Sequence, residues 1–306
     1  MNMASATNIF FMGKGGVGKS TSAALNSVFL AHKGLKVLIV SLDPAHNQCD
    51  IFEKSFSDKA AQIAPNLSAI EIDQDYWIRR YLKDVQDQIK RSYSYLTAFN
   101  LEEYFKVIKH SPGLEEYALI LAFNEIQQKF SHLDYLVFDM PPTALALKFF
   151  NLPTLSLVWI EQLLSLRQEI IKKREIITKI KLIKKERETD KVLNKINEMK
   201  KDYDELKGIF EDPEKTHVKL VLNPDQLSLA ESLRILKELK DINVDLNQII
   251  NNKMHMNPVC VEINKAFYGY PMLNFPRSET PLIGIESLTR FLEMNAEAVE
   301  EQLNVC

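Results

Sequence analysis

Cysteine is scarce, with Cys49, Cys260 and Cys306 the only three in 306 residues, and they stand far apart. An odd, scattered set of that kind offers neither a disulfide framework nor a Cys-x-x-Cys metal clip, so a reducing, cytoplasmic compartment is expected. A surplus of charge is also missing. The 38 Lys+Arg against 41 Asp+Glu leave a net charge of −3, which gives the chain no global attraction to nucleic acid. No apolar stretch reaches the ~18–20 residues that span a bilayer, and no basic head with an apolar run and cleavage site opens the chain, so a soluble, unprocessed protein is expected. Internal repeats, low-complexity tracts and Pro/Gly/Ser linkers are absent. Against these absences, 46% apolar and 26% charged residues are ordinary globular values. The length suits one large α/β domain or two smaller ones.

Glycine is the last scarcity and the first positive clue. There are only 9, yet Gly13, Gly15, Gly16 and Gly18 fall within six residues of each other. Ile9 to Met12 runs into this cluster as an apolar strand, and an Ala/Ser-rich stretch from Ser20 to about Lys33 leaves it as a helix that stops at Gly34. Further strand candidates are Lys36–Leu42, Leu67–Ile72, Tyr135–Asp139, His217–Leu222, Gln248–Asn251 and Met272–Phe275, with helical patterns between most of them. Short apolar strands alternating with helices predict an α/β fold, a mostly parallel sheet flanked by helices.

The stretch from about Leu155 to Phe210 is too long and too charged for one crossover helix. Leu163, Leu166, Ile170, Ile177 and Ile180, then Leu193, Ile196, Tyr203, Leu206 and Phe210, recur at helical spacings, with a break around Glu186 to Asp190. This predicts a helical hairpin insertion, 155–210, in a domain made of 1–154 and 211–306. Between Lys172 and Arg187 eight Lys or Arg face two Glu. That run reads either as a solvated face or as a docking surface for an acidic partner or a membrane.

Gly13-Lys14-Gly15-Gly16-Val17-Gly18-Lys19-Ser20-Thr21 satisfies the P-loop pattern in its required strand-to-helix context. Such glycines let successive N–H groups turn inward around phosphate oxygens, and the helix N-terminus adds positive potential. Lys19 neutralises the β and γ phosphates and Ser20 can ligate Mg²⁺, so ATP and Mg²⁺ are the expected cofactors. Asp43 and Asp139 each end a predicted parallel strand, where ligands of open α/β sheets bind. Hydrolysis needs one group to orient water and another to hold the metal's water shell. Asp43 is assigned to water and Asp139 to the metal; capping of the next turn is the other reading of each aspartate.

The second lysine, Lys14, gives the loop its Gly-Lys-Gly-Gly-x-Gly-Lys-Ser/Thr form. This resembles the deviant-Walker class of MinD, ParA, the nitrogenase iron protein and the ArsA family of arsenite-pump and tail-anchored-protein-targeting ATPases. Four segments narrow the resemblance to the ArsA family. Asp43-Pro44-Ala45-His46-Asn47-Gln48-Cys49-Asp50 is similar to the Asp-Pro-Ala-His switch I, Pro112-Gly113-Leu114-Glu115-Glu116 to the Pro-Gly-x-x-Glu segment, and Asp139-Met140-Pro141-Pro142-Thr143 to switch II. Ile249-Ile250-Asn251-Asn252 resembles the strand whose asparagine reads adenine, and Pro276 to Gly284 has the spacing of the loop over the base. Asn252 reads equally as a plain amide at a strand end.

The resemblance implies a P-loop ATPase acting as a homodimer, with Lys14 reaching the neighbour's nucleotide, catalysis by Asp43, Lys14 and Lys19, and base contacts by Asn252 and Pro276. It further implies release and capture of a protein client, a hydrophobic or tail-anchored segment, with transient membrane or receptor contact. The chain departs from the family at Ala144-Leu145, where a Gly-His is usual, and in having no zinc-clamping Cys-x-x-Cys. One phosphate loop and no grouped thiols argue against arsenite binding. A MinD- or ParA-like organiser on membrane or DNA is the alternative, against which the Ile285–Leu303 stretch stands as amphipathic but acidic. A reductase would need cluster cysteines that Cys49 and Cys260 do not supply.

Overall fold

The computed structural model describes residues 6–45, 47–92, 113–180, 190–255 and 258–303. His46, Pro112, Cys306 and positions 181–187 of the basic run therefore lie outside the described residues.

Eight strands form one sheet in the order β3-β4-β2-β5-β1-β6-β7-β8. They are β1 (Thr7–Met12), β2 (Val37–Ser41), β3 (Ala61–Ala64), β4 (Leu67–Glu71), β5 (Tyr135–Asp139), β6 (Thr216–Leu222), β7 (Leu246–Met254) and β8 (Met272–Pro276). All pairings are parallel except β3 with β4. Parallel strands buried on both faces need continuous apolar sequence, and β1, β2 and β5 supply it. The edge strand β3 was not among the expected strands; Ala61-Gln62-Ile63-Ala64 is short, half-exposed and antiparallel, and carries no apolar run to betray it.

Helices α1 (Lys19–His32), α2 (Asn47–Phe52), α3 (Gln74–Ser92), α4 (Leu114–Lys129), α5 (Thr143–Ile180), α6 (Lys191–Glu211), α7 (Gln226–Asp241), α8 (Pro258–Ala266), α9 (Ile285–Met294) and α10 (Ala296–Leu303) complete the described fold. One core packs α1, α2, α9 and α10 on one sheet face, and a larger one packs α3 through α8 on the other. β1 serves both: Ile9 and Phe11 point to the first, Phe10 and Met12 to the second.

The hairpin is present, but it does not begin where the sequence suggested. α5 is a single helix of 38 residues that starts at Thr143 and runs through Pro153, so the 154/155 boundary falls inside it. Proline removes a helical N–H, yet the helix continues across Pro153. α5 packs against α6 through a forked Arg167–Asp190 pair, with N–O distances of 3.0 and 2.9 Å. Asp190 also caps α6 by accepting from the Val192 and Leu193 amides, each at 3.1 Å.

The root of the hairpin is set in aromatic packing. Phe210 of α6 lies 5.0 Å from Phe150 of α5 and 5.4 Å from Phe123 of α4, and Phe10 of β1 stacks on Phe138 at 4.9 Å, measured between ring centroids. Each such pair adds about 0.5–1.5 kcal/mol beyond its buried area. The insertion therefore shares the domain core rather than sitting on a separate one.

Thr143–Lys173 is also long and apolar enough to cross a membrane by length and composition, contrary to the expectation from the sequence. The helix holds no uninterrupted apolar run, because Ser, Thr, Asn, Gln and Pro break it without adding much charge. Only 33% of its most apolar window is buried.

Candidate nucleotide site

The carboxyl ends of β1, β2 and β5 lie side by side, with Phe11 opposite Asp139 and Ser41 opposite Asp139 in register. This places the loop after β1, the Asp43 segment after β2 and Asp139 around one crevice. It is the place where the fold binds ligands.

Two glycines are required there. A Cβ on Gly13 would stand 2.2 Å from the Val221 carbonyl oxygen of β6, so the loop can pass over that strand only without a side chain. Gly18 has φ +97°, and its Cβ would stand 2.3 Å from Asn252 Nδ2. Left-handed backbone and close approach coincide at Gly18. Lys19 is buried at 5% exposure, and its ammonium reaches the Lys14 carbonyl at 3.5 Å. A cation folded back over its own loop is positioned for phosphate oxygens. Val17 is buried, and Lys14, Ser20 and Thr21 are half-buried.

Asp43 is 7% exposed and accepts from the Ala45 amide at 3.0 Å. This is the turn-capping contact of the alternative reading, and it leaves the second carboxylate oxygen for other use. Asp139 is fully buried, and its Oδ2 accepts from Gln48 Nε2 at 3.0 Å while Oδ1 has no donor. Burial pushes its carboxyl up to about 6, against the downward pull of Gln48, Ser20 and the Lys19 charge. Thr143 Oγ1, at the start of α5, donates to the Gly13 carbonyl at 3.4 Å.

Asn252 sits beside the loop. Its Nδ2 donates to the Val17 carbonyl at 2.7 Å and its Oδ1 accepts from the Lys253 amide at 2.9 Å, so one N–H remains for a ligand. The neighbouring Asn251 bonds Asn274 of β8 at 2.9 Å, and Pro276 ends β8 opposite Met254. At the far end of the following loop the Gly284 amide donates to the Ile51 carbonyl of α2 at 2.7 Å.

Two residues of the segment after Asp43, to which sequence reasoning assigns no role, tie that segment to the loop. Gln48 Nε2 donates to the Ser20 carbonyl at 3.1 Å as well as to Asp139, and Asn47 Nδ2 reaches Ser20 Oγ at 3.4 Å. A signal existed: Gln48, Ile51 and Phe52 hold the i, i+3, i+4 spacing of a buried helix face, and a polar residue in such a face needs a partner. Glu71, at the end of β4, holds the same helix by accepting from the Cys49 amide at 3.0 Å and its thiol at 2.7 Å.

Residues 6–267 match the model of the anion-transporting ATPases, the ArsA ATPases. The chain belongs to the ArsA ATPase family. It is an ATPase and binds nucleotide. It is 27% identical over 298 residues to the putative arsenical pump-driving ATPase 2 of Aquifex aeolicus, covering 92% of this chain and 96% of that one. It is 31% identical over 317 residues to the ATPase GET3 of Komagataella phaffii, covering 92% and 88%. The ATPase ASNA1 homolog of Entamoeba dispar is 29% identical over 264 residues, 82% of this chain and 78% of that one.

Proposed function

We propose that the chain is an ATP-gated homodimeric switch that captures and releases a hydrophobic protein segment, of the tail-anchored type, in the cytoplasm. The observation that carries this reading is the helix α5. It starts at Thr143, bonded to the phosphate loop, and continues into an exposed apolar stripe of Leu155, Val158, Trp159, Leu163, Leu166 and Ile170, with Trp159 72% exposed. These positions recur at three and four, so they share one face about 22 Å long, facing away from the Ile160 side that packs inward. Apolar surface of that extent marks an interaction site. Leu163, Leu166 and Ile170, read from the sequence as apolar positions of the hairpin, are exposed on it.

The residues present suit a hydrated Mg²⁺: the Ser20 hydroxyl would be a ligand, and Asp139 Oδ1, which accepts no hydrogen bond, would face the metal's water. Bound there, the ion would neutralise charge on the phosphates. Lys19 holds those phosphates, Asp43 orients water, Lys14 serves the opposite subunit, and Asn252 with the Pro276 loop borders the base. The GET3 and ASNA1 relatives support this reading, and against an arsenite pump stands the lack, among the described residues, of any His/Cys/Asp/Glu cluster that could group thiol ligands.

The test is capture. An Asp43→Asn protein with ATP should retain a fluorescent tail-anchored helix, and adding the triple change Leu155→Ser, Trp159→Ser, Leu163→Ser should weaken capture at least tenfold, while the same triple change with Asp43 intact should leave ATP hydrolysis running. Equal capture by both proteins refutes the assignment of the stripe.

A further inference from the structure

We infer that Gln48 is a positioning residue for the metal-facing carboxylate, its amide fixing Asp139 so that the free oxygen of that carboxylate is presented to the water shell of the cation. The inference rests on the proposed placement of Mg²⁺ beside Ser20 and Asp139. Its own support is geometric.

Gln48 has no solvent exposure, and both its bonds come from one nitrogen, to the Ser20 carbonyl at 3.1 Å and to Asp139 Oδ2 at 3.0 Å. One side chain thus joins the phosphate-loop helix, switch I and switch II. A carboxylate held through one oxygen by a neutral donor cannot rotate freely, and its second oxygen is aimed. That second oxygen, Asp139 Oδ1, is buried without a donor, and so is Gln48 Oε1. Two buried acceptors lacking hydrogens at one polar junction call for a ligand that brings hydrogens, and water on a divalent cation does so. The neutral donor also matters: a lysine at 48 would pair with Asp139 and compete with the cation, whereas an amide orients the carboxylate without neutralising it.

The experiment uses the full chain and a fluorescent ADP analogue, titrated first in chelator and then with Mg²⁺. Gln48→Met keeps the volume and removes the amide. It should raise the Mg²⁺ concentration for half-saturation about tenfold or more while nucleotide affinity in chelator stays within twofold. Asp139→Asn is run in parallel. A raised value in Asp139→Asn with an unchanged one in Gln48→Met overturns the inference and leaves the metal placement standing. An unchanged value in Asp139→Asn removes the metal from that carboxylate, and the inference falls with it. Equal losses with and without Mg²⁺ in Gln48→Met make Gln48 a support of the loop and also overturn the inference. Should Gln48→Met fail to fold, Gln48→Glu keeps the shape and sets a second charge against Asp139; a wild-type Mg²⁺ requirement in that protein is equally decisive against it.

Discussion

Gly18→Ala tests the tightest steric relation in the site. The new methyl must occupy a point 2.3 Å from Asn252 Nδ2 on a backbone with φ +97°. Left-handed backbone costs an alanine about 1–2 kcal/mol. Displacing the Asn252 amide breaks its 2.7 Å bond to the Val17 carbonyl, worth about 1 kcal/mol. The sum, roughly 2–3 kcal/mol, corresponds to a combined change of about 30- to 150-fold. It is lost from folding stability if the free loop keeps its shape, and from nucleotide affinity if the free loop relaxes and must be rebuilt on binding. Urea unfolding and calorimetric nucleotide titration on the same protein capture both parts. Asn252→Ala alone should cost about 1 kcal/mol. Because Gly18→Ala has already broken that bond, adding Asn252→Ala to it should cost nothing more. A double variant whose loss equals the sum of the singles, or a Gly18→Ala protein with total losses under about 0.5 kcal/mol, refutes the steric argument.

Lys14→Ala should leave nucleotide affinity within a few-fold, since Lys19 and the loop amides remain, and, under the proposed role of Lys14 toward a neighbouring subunit, should abolish turnover; a wild-type hydrolysis rate contradicts that role. Glu116, 6% exposed in α4, pairs with Lys148 of α5 at 2.8 Å. Its burial raises the carboxyl, but the Lys148 hydrogen bond and its own backbone amide outweigh this and hold it below the usual 4.5. A depressed carboxyl contributes stability above its unfolded value and loses it as pH falls through the folded one. Urea unfolding from pH 6 to 3 should therefore fall more steeply in the wild type than in Glu116→Gln, with a small difference because Lys148 is solvated. Parallel curves dismiss the pair.

The strands and the loop were legible because they rest on local signals. Tyr135–Asp139 was read with its true bounds, and each other expected strand overlaps an observed one within a few residues. Asp43 and Asp139 were placed by the rule that ligands meet the carboxyl ends of parallel strands, and they lie there. What escaped depends on contacts distant in sequence. Gln48 meets Asp139 across 91 positions, and the amide of Asn252 meets Val17 across 235. The start of α5 escaped for a different reason: a proline and a change in charge density imitate a boundary, while tertiary packing of Phe149, Phe150 and Phe210 carries the helix through. The Ile285–Leu303 stretch, read as one amphipathic segment, is two helices, because the chain turns at Asn295 to lay Val299 on the same core as Leu288.

The early start of α5 changes what the missing switch II Gly-His means. Helix α5 opens with the Leu145 and Ala146 amides donating to the Pro142 carbonyl, and its first residue, Thr143, stands four after Asp139. Alanine at 144 removes the backbone freedom that glycine would bring to this first turn, and Leu145 packs against the larger core. A stiff junction of that kind needs no side-chain relay. From Thr143 to Ile170 the helix extends roughly 40 Å at 1.5 Å per residue, so a tilt of about 5° at the phosphate loop displaces the far end of the apolar stripe by about 3.5 Å. The exposed stripe is bolted to the nucleotide site by main chain, and Lys148–Glu116 ties the same first turns of α5 to α4. Coupling by a continuous helix is what the residues present can provide, where the family's usual pattern would place a histidine.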